Sequence, residues 1–317
     1  MTTAAEPTVQ DTTFDHGAID LGLDAPHSAR VGDYLLGGRT NFTADRELLG
    51  QIMAVFPDVI GAAWEHEFFT HRAALYLAAR GIWQFLDIGT GIPRVEKLHR
   101  LVQGIEASCR VVYLDNDPIV MQHLRALMAD GRPGAVGFVH ADLADPQGVL
   151  DAVAAEGTLD LSAPIALLLT AVLEHLPDER GPQQAVKTLT QALAPGSALV
   201  ISHVAADLHA REMNKAAARC RQAGLPLYPR TRDQVEAYFD GWELADPGIT
   251  TPARWHPISP GNDEIAACHV GVALGRTTGP ARDRSPHEVT DQLAVHQYVD
   301  DRYQNQGERD DECFRTG

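Results

Sequence analysis

Cysteine is scarce in this chain, and basic residues are outnumbered. The four cysteines, Cys109, Cys220, Cys268 and Cys313, are scattered, with no CxxC pair and no Cys/His group at zinc-ligand spacing. That argues against a disulfide scaffold and against a metal centre, and it predicts reduced thiols in a cytoplasmic protein. Lysine and arginine number 26 against 43 aspartates and glutamates, a formal net charge of −17. Nucleic acid as a non-specific partner needs a basic surface, so this balance argues against it. No apolar run approaches the roughly 20 residues that span a bilayer, so no membrane partner is expected. Residues 1–15 lack the basic start and apolar stretch of a signal peptide. What the chain does have is a 44% apolar composition over 317 residues, enough for one large α/β domain with additions or for two small domains.

Residues 1–24 are polar and aperiodic and read as a flexible N-terminal arm. The segment 28–42, SARVGDYLLGGRTNF, is too glycine-rich for a plain helix and too apolar for a linker. Leu48, Leu49, Ile52, Met53 and Phe56 then recur at helical spacing until Pro57 stops them, and Asp58 stands where a helix N-cap belongs. The next helix runs to about Ala79, with Phe68, Phe69, Ala73, Tyr76 and Leu77 on one face. Residues 25–80 therefore form a helical cap. From Gly81 the rhythm changes. Candidate strands at 82–88, 110–115, 136–140, 165–170 and 198–203 alternate with helical stretches or loops, which implies parallel strands with crossovers. A helix over 232–239, capped by Thr231, precedes two strands at 242–244 and 266–274 without a crossover helix, best paired antiparallel. The fold class is α/β, a Rossmann-like, mostly parallel sheet over 81–275. Residues 276–317, poor in apolar side chains, read as a disordered tail with a helical turn near 289–298.

Three motifs sit at the ends of successive strands. In FLDIGTGIPR, residues 85–94, a strand ends in Asp87, and Gly89 and Gly91 make a turn that lets the backbone approach a ligand. In VVYLDNDP, residues 111–118, Asp115 is placed to accept hydrogen bonds from both hydroxyls of a ribose, while Asp117 caps the helix opened by Pro118. In FVHADLADP, residues 138–146, Asp142 is placed for an adenine amino group, with neighbouring backbone N–H groups, including that of Leu143, for the ring nitrogens. All three lie on the carboxyl edge of the sheet, and their common requirement is an adenosine. A pyrophosphate cofactor would want a third glycine where the chain has Arg94, preceded by Pro93. The pattern leaves room instead for the sulfonium and amino-acid end of S-adenosyl-L-methionine. A fourth segment, LLLTAVLEHLPDE (residues 167–179), puts Thr170 at a strand end and Glu174 and His175 in the loop beside the expected methionine end. Either is a candidate catalytic base for an acceptor that must lose a proton.

The joint occurrence of ARVGDYLLGGRTNFTADRE (29–47), FLDIGTGIPR, VVYLDNDPIV, FVHADLADP and LAPGSALVISH (193–203) resembles an actinobacterial family of S-adenosylmethionine-dependent methyltransferases, long known as a domain of unknown function. The resemblance covers about residues 19–276. It implies a class I methyltransferase sheet with an N-terminal helical cap, and cofactor binding by Asp87, Gly89, Gly91, Asp115, Asn116 and Asp142. It further implies that Tyr34, Gly37, Gly38 and Asn41 close over the cofactor and that Arg72 meets the methionine carboxylate. The chain departs from the family in carrying His66 and Glu67 where members often have Asn-Arg.

Two functions follow from this reading. One is methyl transfer to a small-molecule acceptor enclosed by the cap. The other is a non-catalytic S-adenosylmethionine sensor, with the adenosine-binding acids but no acceptor cavity. An NAD-dependent reductase fits poorly, because the third glycine and a Tyr-x-x-x-Lys pattern are both missing.

Overall fold

The strands at Gln84–Ile88 and Ala166–Thr170 are buried along their whole length. Such strands belong inside a parallel sheet with helices on both faces. The computed structural model describes residues 22–93, 97–127, 135–257 and 261–275. Residues 1–21 of the expected arm, the tail at 276–317 and Arg94 lie outside the described residues. Among those described, one sheet contains β1 (Gln84–Ile88), β2 (Arg110–Asp115), β3 (Val136–His140), β4 (Ala166–Thr170), β5 (Ala198–Val204), β6 (Glu243–Leu244) and β7 (Cys268–Leu274). Their order is β3-β2-β1-β4-β5-β7-β6, with β1 to β5 parallel and β7 running antiparallel between β5 and β6. This is the Rossmann-like sheet with a final antiparallel pair that the sequence implied.

Strand pleating sends alternate side chains to opposite faces, and this makes two cores. Phe85, Val111, Leu168, Val200 and Val270 pack beneath α3 (Val59–Ala79), which contributes Phe69, Ala73, Ala74 and Leu77. Leu86, Val112, Leu167, Leu199 and Ile201 face the other way, onto α6 (Pro146–Glu156) and α7 (Pro182–Gln191) through Val149, Val153, Val186 and Leu189. So α3, although within the segment read as a cap, covers one face of the sheet. Asp58 precedes it at the N-cap position but makes no side-chain capping hydrogen bond. By contrast, Thr231 does cap α9 (Arg232–Glu236), accepting from the Gln234 N–H.

The segment 28–42 corrects its own reading. Ser28–Leu35 is a helix, α1, which accommodates Gly32, and the Gly37–Gly38 pair comes after it, where Gly37 takes a positive φ of 77°. The loop beyond it is folded around Asp33. That carboxylate accepts the Thr40 N–H at 2.8 Å and the Asn41 side-chain amide at 3.1 Å, while the Gly38 N–H bonds the Asp33 carbonyl at 2.7 Å. A second carboxylate, Asp45 at the start of α2 (Thr43–Met53), accepts the N–H groups of His27 and Phe42 at 2.9 and 2.8 Å. Val31, Leu48, Leu49 and Ile52 of α1 and α2 then pack on Ala216 and Cys220 of α8 (Ala210–Gln222).

Any side chain at Gly38 would meet the Asp33 carboxylate. Gly38→Ala is therefore expected to cost roughly 1–3 kcal/mol of stability through overpacking. Equal denaturation midpoints for the two proteins would show that the loop opens without Asp33.

Candidate active site

The sheet reverses its winding between β1 and β4, and open α/β sheets bind ligands in the crevice outside that point. Here the crevice is a cavity of about 750 Å³. Asp87, Gly89, Gly91, Asp115, Asn116, Asp142, Leu143, Thr170, Glu174 and His175 all line it, so the residues singled out after β1, β2, β3 and β4 converge on one space.

The glycine turn is shaped by its neighbours. Gly89 and Gly91 have φ of 74° and 65°, in the left-handed region where a side chain is strained. A Cβ on Gly89 would also collide with Val172 of the loop after β4. The Gly91 N–H donates to Asp115 Oδ2 at 2.9 Å, and the Asp117 N–H donates to Asp115 Oδ1 at 2.9 Å. Asp115 thus joins the β1 turn to the β2 loop while lining the cavity. Burial raises its pKa, although these two hydrogen bonds and His27 pull the other way. Asp87 accepts the Thr90 hydroxyl at 2.6 Å, and burial, with help from Glu67 and Asp115, pushes its carboxyl up to about 6. Asp142 is exposed and fixes its own turn by accepting the Ala144 N–H at 2.9 Å.

The cap meets this rim through His27, a residue the sequence did not single out. Its Nδ1 lies 3.0 Å from Asp117 Oδ2, and Asp117 also caps α5 (Pro118–Leu127) by accepting the Ile119 N–H at 2.6 Å. From the cap, Pro26, His27, Ala29, Val31, Asp33 and Leu36 line the cavity. Tyr34, Gly37, Gly38 and Asn41, expected to close over the cofactor, do not. Gly38 and Asn41 shape the Asp33 loop, and α1 turns its Val31 and Asp33 side to the cavity instead. Arg72 is a second correction. Its guanidinium donates to the carbonyls of Trp255 at 3.1 Å and Pro252 at 2.6 Å, so it anchors the 252–255 turn away from the cavity lining. The α3 residues that do reach the cavity include His66, Glu67, Thr70 and His71. His66 Nε2 is 2.6 Å from Ser202 Oγ, at the end of β5, and Glu67 pairs with His71 at 3.4 Å. The departure from Asn-Arg at 66–67 was the one sequence signal at this position.

Among the described lining residues, Asp33, Glu67, Asp87, Asp115, Asp142 and Glu174 are opposed by only two permanent cations, Lys97 and Arg180. That chemistry fits S-adenosylmethionine, whose sulfonium and ammonium groups are cationic and whose ribose and adenine offer donors to carboxylates.

His175 and Glu174 occupy a short turn, Leu173–His175, after β4. His175 Nδ1 lies 2.6 Å from the Pro226 carbonyl, which can only accept, so Nδ1 carries the hydrogen and Nε2 stays an acceptor. Burial lowers its pKa and keeps the ring neutral. Glu174 is only 2% exposed. Burial pushes its carboxyl up to about 7, and its Oε2 has no hydrogen-bond partner. The nearby Arg230 guanidinium is committed to the Leu173 and Leu176 carbonyls, Asp178 and His203.

A raised carboxyl pKa is a cost to folding that grows with pH. Below the ordinary glutamate value both states are protonated. Between about 4.3 and 7 the unfolded chain releases the proton first, and stability falls. Glu174→Gln is therefore expected to match the parent near pH 4 and to exceed it by on the order of 3 kcal/mol at pH 8. Denaturant titrations at the two pH values test this, and a difference independent of pH would contradict it.

Comparison with known proteins agrees with this geometry. The profile of a family described as S-adenosyl methyltransferase matches residues 15–278. A DUF574 family protein from Streptomyces avermitilis shares 35% identity over 80% of this chain and 99% of its own, with a TM-score of 0.77. A presumed methyltransferase from Thermobifida fusca shares 31% identity over 83% of this chain and 100% of its own, also with a TM-score of 0.77. No curated protein matches the chain. On the extent of that family match, and on two relatives aligned over essentially their whole length, this chain belongs to the S-adenosyl methyltransferase family and is an S-adenosylmethionine-dependent enzyme.

Proposed function

We propose that the enzyme methylates a small molecule enclosed between the sheet rim and the cap. The observation that carries this reading is the extent of the cavity. It does not stop at the adenosine-binding loops but continues under the cap, where Ile52, Phe56 and Val59 face Met213, Cys220 and Leu225. A sensor that only held the cofactor would have no need of that space. An apolar enclosure of this kind excludes water and suits a modest organic acceptor. The acidic overall charge supports the same choice over a nucleic-acid substrate.

In this reading Asp115 accepts the ribose hydroxyls, with Asn116 beside it. Asp142 and the Leu143 backbone receive the adenine, and the Gly89–Gly91 turn and Asp87 hold the amino-acid end, with Thr170 at its side. When bound, S-adenosylmethionine supplies a methyl carbon activated by a positively charged sulfur. The chain's own task is to aim the acceptor along the line of the departing sulfur and to take its proton. Glu174, titrating near neutral pH, and the free Nε2 of His175 stand at the β4 end for that purpose.

Asp115→Ala should weaken S-adenosylmethionine by roughly 1.5–3 kcal/mol, the worth of hydrogen bonds to a charged group. Unchanged affinity in calorimetry would move the ribose elsewhere. Incubation with methyl-labelled S-adenosylmethionine and a cell extract, split into small-molecule and macromolecular fractions, should place the label in the small-molecule fraction. Label confined to protein or RNA, or no label at all, would refute the proposal.

A further inference from the structure

The cavity divides along the order of the strands. Over β3, β2 and β1 it is lined by the adenosine-binding loops. Over β4, β5 and β7 it is lined by Ala171, Glu174, Ser202, Val204 and Cys268, with His66 of α3 across from them. If the first half holds the cofactor, the second half receives the acceptor, and its polar groups are a description of what the acceptor must offer.

Ser202 and His66 satisfy each other, and the group left wanting a donor is Glu174. Glu174 is buried, and its Oε2 has no donor among the described residues. Arg230, the neighbouring cation, has its N–H groups engaged by two backbone carbonyls, Asp178 and His203. Ser202 Oγ accepts the Ala171 N–H at 2.9 Å and lies 2.6 Å from His66 Nε2, and burial lowers the His66 pKa, leaving that ring neutral. The only described Lys or Arg lining this half is Arg180, which lies exposed on the turn after β4. A buried carboxyl oxygen without a donor is costly, and a charged donor answers it about twice as well as a neutral one. A carboxylate or phosphate acceptor would be repelled, and an alcohol would offer a hydrogen bond but no charge.

We propose that the methyl acceptor is an amine, held by its N–H groups on Glu174 at the β4–β5 rim. This rests on the small-molecule reading above and narrows it. The ammonium form enters and gives one proton to the Glu174 carboxylate. The freed nitrogen lone pair forms a bond to the methyl carbon as the carbon–sulfur bond breaks, and sulfur keeps that electron pair. The products are an N-methylammonium and a neutral thioether. Glu174 is the catalytic base of this step, and His66 a positioning residue that keeps the Ser202 hydroxyl and the Ala171 turn in place.

The test uses the full-length protein, methyl-labelled S-adenosylmethionine and a small-molecule cell extract, with fragmentation of the labelled product to locate the methyl group. The expected result is a nitrogen–methyl bond. Methyl on oxygen, carbon or sulfur would overturn the amine assignment while leaving small-molecule methyl transfer standing. Absence of any labelled small molecule would remove both. With the labelled amine in hand, Glu174→Gln is expected to lower its turnover at least 30-fold with cofactor affinity changed less than twofold, and Glu174→Asp to recover part of the rate. Full turnover by Glu174→Gln would overturn the role given to this carboxylate, as would a loss matched by an equal loss of cofactor affinity.

Discussion

The site depends on one carboxylate whose two oxygens first serve the protein itself. Both oxygens of Asp115 are tied to backbone N–H groups, one from the glycine turn after β1 and one from its own loop. Together with the Gly89 and Thr90 N–H groups, which donate to the Leu114 carbonyl at 2.8 and 3.2 Å, those bonds hold the glycine turn against the end of β2. The same loop continues into Asp117, which caps a helix and receives His27 from the cap. A chain of three short contacts therefore runs from the first strand to the N-terminal helices. Each member fixes the next, so loops that leave separate strands are held to one another.

Electrostatics complete the design. The rim is lined by carboxylates, and burial raises the pKa of Asp87, Asp115 and Glu174 rather than leaving them as ordinary surface acids. Such a cavity is poorly satisfied by itself and well satisfied by a cation. Stability given up there is a usual feature of functional sites, where the folded chain tolerates strain that a ligand relieves.

Much of this was legible in the sequence because it is local. Apolar runs reaching aspartate announced β1 and β2, and a glycine two residues past Asp87 announced the turn. The cap was less legible. Gly37 and Gly38 diluted the helical signal of α1, although they begin only after its last residue. Arg72 is near the cofactor rim in sequence, but its partners Pro252 and Trp255 come from the far end of the chain, and no local pattern reveals them. Likewise, which side of α1 faces the cavity is decided by its packing on α8, so Val31 and Asp33 line it while Tyr34 does not. His66 and Ser202 meet across 136 residues of sequence and carried no mutual signal.

The support of α1 and α2 by α8 has a consequence for biosynthesis. The residues that roof the pocket are made before the sheet, yet Ala216 and Cys220, on which they rest, are made only after five strands have followed. During that interval Val31, Leu48, Leu49 and Ile52 have one another but lack the α8 surface that completes their cover. Long-range docking of this kind is slow relative to local structure and leaves apolar groups open to other chains. The pocket's roof is therefore completed only after the sheet strands that form its floor, β1 to β5, have been made.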